Sequence, residues 1–170
     1  MLIVASNPAV SDVTGWPVGF WWSELTHPWW EFTEHGYQVE IASPDGGALR
    51  GDSWVHRVLA AFYEAGKATA VICHATAVLL TARRPDGGLL VEGKTWTGFA
   101  NSEEQYADDF VGRRIQPFWI EDEARELEDT NFIVHGRFRA HALRDGNLIT
   151  GQQQYSGTAA ARLIIDALGT

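Results

Sequence analysis

The chain has a single cysteine, Cys73, and a histidine follows it directly in the stretch "AVICHATAVLL", residues 70–80. The apolar residues before Cys73 predict a buried strand, and the small and apolar residues after His74 predict a helix. A nucleophile at such a junction is presented by a sharp turn, next to the free N–H groups and the positive dipole end of the helix. These features favour the thiolate, which is the reactive form of cysteine.

Spacing alone leaves a second interpretation open. A single cysteine at the end of an apolar strand is more often a small buried hydrophobic residue. His74 can act as the base for Cys73 only if the turn brings the imidazole back, because adjacent residues of a strand point to opposite faces. The pattern therefore predicts either a catalytic thiol or an inert one.

The elements that would position this thiol alternate between strand and helix, which predicts an α/β domain with a mainly parallel sheet. Pro28 lies inside the first helix, where it predicts a kink or a break. The predicted strands are 1–6, 37–43, 68–74, 94–100, 131–136 and 142–151, the last of these turning at Asp145–Gly146. The predicted helices are 20–36, 52–67, 75–83, 102–110 and 156–169, with a polar helix inside 115–128.

Composition excludes several classes of protein. The chain has 170 residues and a formal charge of −9, so it suits one globular domain and lacks the clustered Lys and Arg that nucleic acid or an anionic membrane requires. No apolar run is long enough to span a bilayer, and the N-terminal segment does not resemble a secretion signal. With one cysteine, these features predict a cytoplasmic protein. No Cys/His spacing typical of zinc and no Gly-rich phosphate loop occurs, so we expect no metal and no cofactor.

Aromatic residues are concentrated near the N-terminus. Five of the eight tryptophans fall in residues 16–30, on both sides of Glu24. Such a cluster predicts a buried core or an interface between copies more strongly than contact with a ligand. The same surroundings predict that Glu24 is partly buried, rather than an ordinary solvated helix residue.

Four motifs in order along the chain resemble those of the DJ-1/PfpI superfamily, and within it the heat-shock-protein-31-like, or glyoxalase III, branch. They are the cysteine stretch quoted above, "GFWWSELTHPWWEFTEHGYQVEIASPDGG", "GKTWTGFANSEE" and "RDGNLITGQQQYSG". The resemblance implies a class I glutamine-amidotransferase-like fold, which is a flavodoxin-like three-layer sandwich with a mainly parallel sheet and a cysteine nucleophile elbow. It covers nearly the whole chain, residues 1–170, as a single domain.

The resemblance also implies a set of catalytic residues. Cys73 matches the family nucleophile, His74 its neighbouring histidine, and Glu24 the glutamate that reaches the thiol from the first helix. Glu104 matches the acid that orients the histidine, although Glu103 is adjacent and the assignment could be off by one. The alternative for both is an acid that only stabilises a helix N-terminus.

This sequence departs from the family pattern in three places. Ala75 stands where glycine is common after the histidine, and Gln152–Gln154 replace a frequent Gln-Asn-Pro. About 50 family residues are missing near 47–55, including a central strand whose loss would expose unpaired sheet edges. Either the sheet and the oxyanion site are rearranged around a true deletion, or the printed sequence omits that segment.

The function that the resemblance implies is that of a cysteine-dependent glyoxalase III-type lyase, which converts methylglyoxal and water to lactate without glutathione or a cofactor. Related hydratase, deglycase and cysteine hydrolase reactions are alternatives on the same site. An alternative from another class is a stress-response holdase chaperone, or a redox sensor whose thiol is oxidised. The expected partners are a small carbonyl substrate and a second copy of the chain in a homodimer.

Overall fold

Helices and strands alternate along the chain, as the sequence predicts. The computed structural model describes residues 1–6, 10, 15–17, 19–42 and 54–169. In chain order the elements are β1 Leu2–Val4, α1 Trp22–Glu34, β2 Glu40–Ala42, α2 Trp54–Glu64, β3 Thr69–Ile72, a 3₁₀ helix Cys73–Leu80, β4 Thr95–Trp96, α3 Asn101–Val111, α4 Ile120–Arg125, β5 Asn131–Phe132, β6 Ala142–Asp145, β7 Leu148–Gly151 and α5 Gly157–Leu168.

The strands pair mainly in parallel, but within the described ranges they form three small sheets. β1 pairs with β2 and β4 pairs with β5, both in parallel. β7 lies between β3, which is parallel to it, and β6, which is antiparallel. In this register Ile72 lies opposite Gly151, so the residues after β3 and β7 leave the sheet side by side.

Two clusters of buried side chains hold these elements together. The larger one lies around the 3₁₀ helix, β4 and β7. In it Trp96 is fully buried and packs edge-to-face on Phe132, with ring centroids 4.7 Å apart. The smaller one joins Phe32 of α1 to Ala161 and Ile165 of α5. Burial of each large apolar side chain stabilises the fold by roughly 1.5–3 kcal/mol.

Helix α1 passes through Pro28 without the break that the sequence allowed. Proline has no N–H group, so only the bond to the carbonyl of Glu24, one turn earlier, is missing. Pro28 is buried against α5, where a Cβ at Gly157 would lie 3.0 Å from the proline ring. Glycine at this position lets α1 and α5 approach closely.

The tryptophans of the N-terminal cluster do not fill the core. Trp21, Trp22, Trp29 and Trp30 are between 42% and 71% exposed, so the prediction of a buried core there is wrong for these four. Trp22 and Trp29 lie seven residues apart, which places them on one face of α1.

Other boundaries also differ from the prediction. The strand expected over 94–100 is only two residues long, and the helix expected over 75–83 is a 3₁₀ helix that already begins at Cys73. The family segment expected to be missing near 47–55 falls mainly outside the described residues. Within the described part of the chain, no helix has the length and apolar character needed to cross a membrane.

Candidate active site

Cys73 occupies a sharp turn between β3 and the 3₁₀ helix. Its φ angle is 60°, in the left-handed region, which costs a residue other than glycine roughly 1–2 kcal/mol. The hydroxyl of Thr76 donates a 2.6 Å hydrogen bond to the Cys73 carbonyl and so holds the turn. A Cβ at Gly98 would overlap that hydroxyl, so the absence of a side chain at Gly98 leaves room for the side chain of Thr76.

The turn brings His74 back onto the thiol, which is the condition that the sequence left open. Nδ1 of His74 lies 3.4 Å from the Cys73 sulfur, and Nε2 lies 3.0 Å from Oε1 of Glu104. Since the carboxylate can only accept, Nε2 carries the proton and Nδ1 presents a lone pair to the thiol. The imidazole also stacks on Phe99, with ring centroids 4.0 Å apart.

The two adjacent glutamates at the start of α3 have different contacts. Glu104 is 1% exposed and accepts from His74. Glu103 is fully buried and makes no hydrogen bond to His74; its carboxylate accepts instead from the backbone N–H groups of Ala100 and Phe138 and from the side chain of Gln152. The acid in contact with the histidine is therefore Glu104.

Glu24 approaches the thiol from the N-terminus of α1. Its Oε2 accepts a 2.9 Å hydrogen bond from the Trp21 N–H, and its Oε1 is buried without a partner that meets hydrogen-bond geometry. The Glu24 side chain is nevertheless close enough to the Cys73 thiol to act on it as a charge and as a hydrogen-bond acceptor. Ser23 donates to the carbonyl of Gln154, which ties this end of α1 to the chain leaving β7. Glu24 is half-buried, as its surroundings predict.

The surroundings of the Cys73 side chain disfavour the thiolate that the start of the following helix would favour. Burial raises the pKa of Cys73 well above its usual value of 9.0, and the nearby Glu24 charge raises it further. The His74 backbone N–H lowers this pKa, but less strongly than burial and Glu24 raise it. A thiol in these surroundings needs a nearby base before it can act as a nucleophile, and the His74 imidazole and the Glu24 carboxylate are the groups within reach of it.

Several residues that hold this geometry were not identified from the sequence. Thr76 fixes the turn, Phe99 positions the imidazole, and Gln152 bonds to Glu103. All three lie inside quoted motifs, but the motifs give no contact for them. No group of three or more His, Cys, Asp or Glu side chains within the described ranges could hold a metal ion.

The raised pKa of the thiol predicts a loss of stability in alkali. Above the ordinary thiol value of 9.0, the unfolded chain releases a proton that the folded chain keeps, so the free energy of unfolding falls as pH rises. The expected slope from this group is about 1.4 kcal/mol per pH unit. Urea unfolding of the wild type and Cys73→Ala across this range measures it: the wild type should lose stability more steeply, and parallel profiles would contradict the prediction.

Comparison with known proteins shows what the chain resembles in sequence and in fold. No family model matches the chain. Over 144 aligned residues it is 28% identical to the glutathione-independent glyoxalase HSP31 of Saccharomyces cerevisiae. The alignment covers 81% of the chain and 60% of that protein. The chain thus spans about 60% of the length of the curated relative it matches.

Solved structures share the fold. Glyoxalase III from Candida albicans superposes with a TM-score of 0.74 at 19% identity, covering 98% of this chain and 95% of the other. A ThiJ/PfpI domain protein from Brachyspira murdochii superposes with a TM-score of 0.61 at 17% identity. This superposition covers 98% of the present chain and 94% of the Brachyspira chain. The α/β fold of the chain matches that of these proteins.

Proposed function

Since the chain has the fold of the ThiJ/PfpI/DJ-1 proteins and resembles a glutathione-independent glyoxalase in sequence, we propose that it is a cysteine-dependent enzyme acting on small reactive carbonyl compounds. The observation that carries the proposal is the continuous chain of contacts from Cys73 through His74 to Glu104. A thiol, a correctly oriented base and a buried acid are the parts of an activated nucleophile.

The proposed reaction is the conversion of methylglyoxal and water to lactate. The Cys73 sulfur attacks the aldehyde carbon while Nδ1 of His74 takes the thiol proton and Glu104 stabilises the resulting imidazolium. The imidazolium then donates this proton to the new oxyanion, which gives a hemithioacetal. The positive φ of Cys73 at the start of the 3₁₀ helix fits a nucleophile elbow, in which backbone N–H groups after the turn would bind this oxyanion.

Glu24 supplies the second base. Its buried carboxylate takes the proton from the former aldehyde carbon, which gives an enediolate, and returns that proton to the neighbouring carbon. The hydroxyl proton on the first carbon moves to the oxygen on the second, so that the first carbon becomes the thioester carbonyl and the second carries the hydroxyl of lactate. The product is a thioester of lactate, formed by an internal redox change that needs no external oxidant. Water then cleaves the thioester, releases lactate and restores the Cys73 thiol.

The test of this function is lactate formation from methylglyoxal by the purified chain without glutathione or added metal. We expect turnover and stoichiometric lactate. Absence of turnover with methylglyoxal, glyoxal and related aldehydes would contradict the glyoxalase proposal. Release of an acid from an ester or amide substrate instead would support the cysteine hydrolase alternative.

A holdase function is the second candidate, and the exposed aromatic residues of α1 favour it. Trp22 and Trp30 expose 71% and 59% of their surface, which provides an apolar surface for unfolded clients or for a second copy in a homodimer. Suppression of aggregation by a Cys73→Ala variant, with no carbonyl turnover by the wild type, would favour the holdase. Solution mass tests the homodimer directly.

We also propose that residues 1–170 form a single domain with the fold of a flavodoxin-like three-layer sandwich. The proposed location of the protein is the cytoplasm. The parallel pairing of β3 with β7, with the 3₁₀ helix following β3, supports that architecture. The absence of the family segment near 47–55 is also part of this proposal, and the mass of the intact protein tests that absence.

A further inference from the structure

Gln153 has a fully buried amide group, and the fold uses only one end of it. Its Oε1 accepts a hydrogen bond from the backbone N–H of Tyr155. Because that N–H can only donate, it fixes which end of the amide is the oxygen and leaves the two N–H bonds of Nε2 at the other end. Within the described part of the chain, Nε2 has no partner that meets hydrogen-bond geometry.

A buried donor without a partner costs free energy, so each such group in a folded protein needs a physical explanation, such as a bound molecule or a catalytic role. The preceding residue shows the ordinary arrangement. Gln152 is equally buried, and its amide bonds to Glu103 and to both backbone groups of His135. Gln153 therefore differs from its neighbour in holding a donor that the described fold does not use.

The position of Gln153 brings this donor to the candidate nucleophile. Strand β7 ends at Gly151, which lies opposite Ile72 in the parallel register, and Cys73 follows Ile72 directly. A Cβ at Gly151 would lie 3.1 Å from the Ile72 side chain, so the two strand ends are closely packed. The turn that contains Gln153 therefore leaves the sheet beside the turn that presents the thiol.

The same turn is tied to the helix that carries Glu24. Ser23, the residue before Glu24, donates a 2.8 Å hydrogen bond to the carbonyl of Gln154, the residue after Gln153. Oε1 of Glu24 is buried without a partner that meets hydrogen-bond geometry, and Glu24 acts on the Cys73 thiol. A buried acceptor and a buried donor thus belong to residues on the two sides of one hydrogen bond, next to the thiol.

We propose that Gln153 is a substrate-binding residue of this site, whose Nε2 donates to the ketone oxygen of an α-oxoaldehyde attached to Cys73. When Glu24 takes the proton from the carbon bonded to sulfur, the electron pair passes to the neighbouring carbonyl group, and its oxygen becomes negative. A fixed N–H donor stabilises that charge, most strongly in a buried site, and Gln153 itself transfers no proton. Solvent reaches this region beside His74, whose side chain is 41% exposed.

The inference rests on the proposed function and narrows its substrate class to aldehydes with a second carbonyl group on the next carbon. The first test compares lactate formation from methylglyoxal by the wild type, Gln153→Glu and Gln153→Met. Glutamate keeps an oxygen for the Tyr155 N–H but replaces the donor by an acceptor, whereas methionine removes both polar atoms at a similar length.

Loss of one such donor lowers kcat by about a hundredfold or more, so we expect this loss in both variants, with a smaller change in KM. A merely structural role would lower stability and leave the kcat of the folded variants within about threefold of the wild type. Gln154→Glu is the matched control, because it adds the same charge in the same turn at a half-buried residue whose described contact is made by its backbone carbonyl. Its kcat should stay within about threefold.

Alkylation of Cys73 by iodoacetamide tests the placement of the amide without any carbonyl turnover. In the pH range where the thiol ionises, above its ordinary value of 9.0, a carboxyl group at position 153 is charged, and a charge that faces the sulfur disfavours the thiolate. Gln153→Glu should therefore move the midpoint of the pH profile upward by at least about half a pH unit relative to Gln154→Glu.

The proposal is overturned if the wild type converts methylglyoxal and every folded Gln153 variant keeps its kcat within about threefold. It is also overturned if the alkylation midpoint of Gln153→Glu equals that of Gln154→Glu. A wild type that converts no carbonyl compound overturns the glyoxalase proposal instead, and the alkylation midpoints then decide whether the Gln153 amide faces the thiol. Circular dichroism establishes that each variant is folded.

Discussion

Replacing Cys73 by serine is expected to reduce carbonyl turnover by about a thousandfold or more, since removal of a nucleophile from a catalytic set costs at least that much. Serine nearly preserves the size of the buried side chain at a position that is 7% exposed and has a φ angle of 60°. Its hydroxyl is far less acidic than a thiol, so His74 can no longer deprotonate it effectively. Initial rates of lactate formation measure the loss.

The control for this result is a substitution that leaves the site intact. Phe110→Ala lies on α3 at a side chain that is 83% exposed, and it should keep the wild-type rate. Near-ultraviolet circular dichroism of Cys73→Ser should match the wild type. A serine variant that is folded and still converts methylglyoxal at a tenth of the wild-type rate would rule out Cys73 as the nucleophile.

Replacing Glu104 by glutamine is expected to lower kcat by about a hundredfold or more, with a smaller change in KM. The amide group can donate to Nε2 of His74, which stabilises the tautomer with its proton on Nδ1. In that tautomer Nδ1 faces the thiol as a donor and cannot accept its proton. The imidazolium formed during attack also loses its buried negative partner.

Glu121→Gln provides the comparison for Glu104→Gln. Glu121 is also buried, and it accepts a 2.8 Å hydrogen bond from the Asn101 backbone N–H at the start of α3. Its other described contact is with Arg125 rather than His74. It should lose some stability while keeping kcat within about threefold, as expected for a residue that makes no transition-state contact. Equal losses of kcat in both variants would indicate that Glu104 acts only by stabilising α3.

The sequence by itself determined the order of the elements and identified a candidate site. Apolar runs and turn residues predicted alternating strands and helices, because hydrophobic periodicity and turn-forming residues are local properties of the chain. The lone cysteine at the end of β3 identified the candidate nucleophile, and the motif resemblance identified His74, Glu24 and Glu104 as its companions. Their catalytic roles remain predictions that the variants above test.

Only the tertiary structure decided which acid contacts His74 and which groups surround the thiol. Glu103 and Glu104 are neighbours in sequence, but one helical step of about 100° points them to different partners. A helix start by itself favours the thiolate, whereas burial and the Glu24 charge raise the pKa of Cys73. Both outcomes depend on contacts between residues that are far apart in the chain, and a local sequence pattern does not show such contacts.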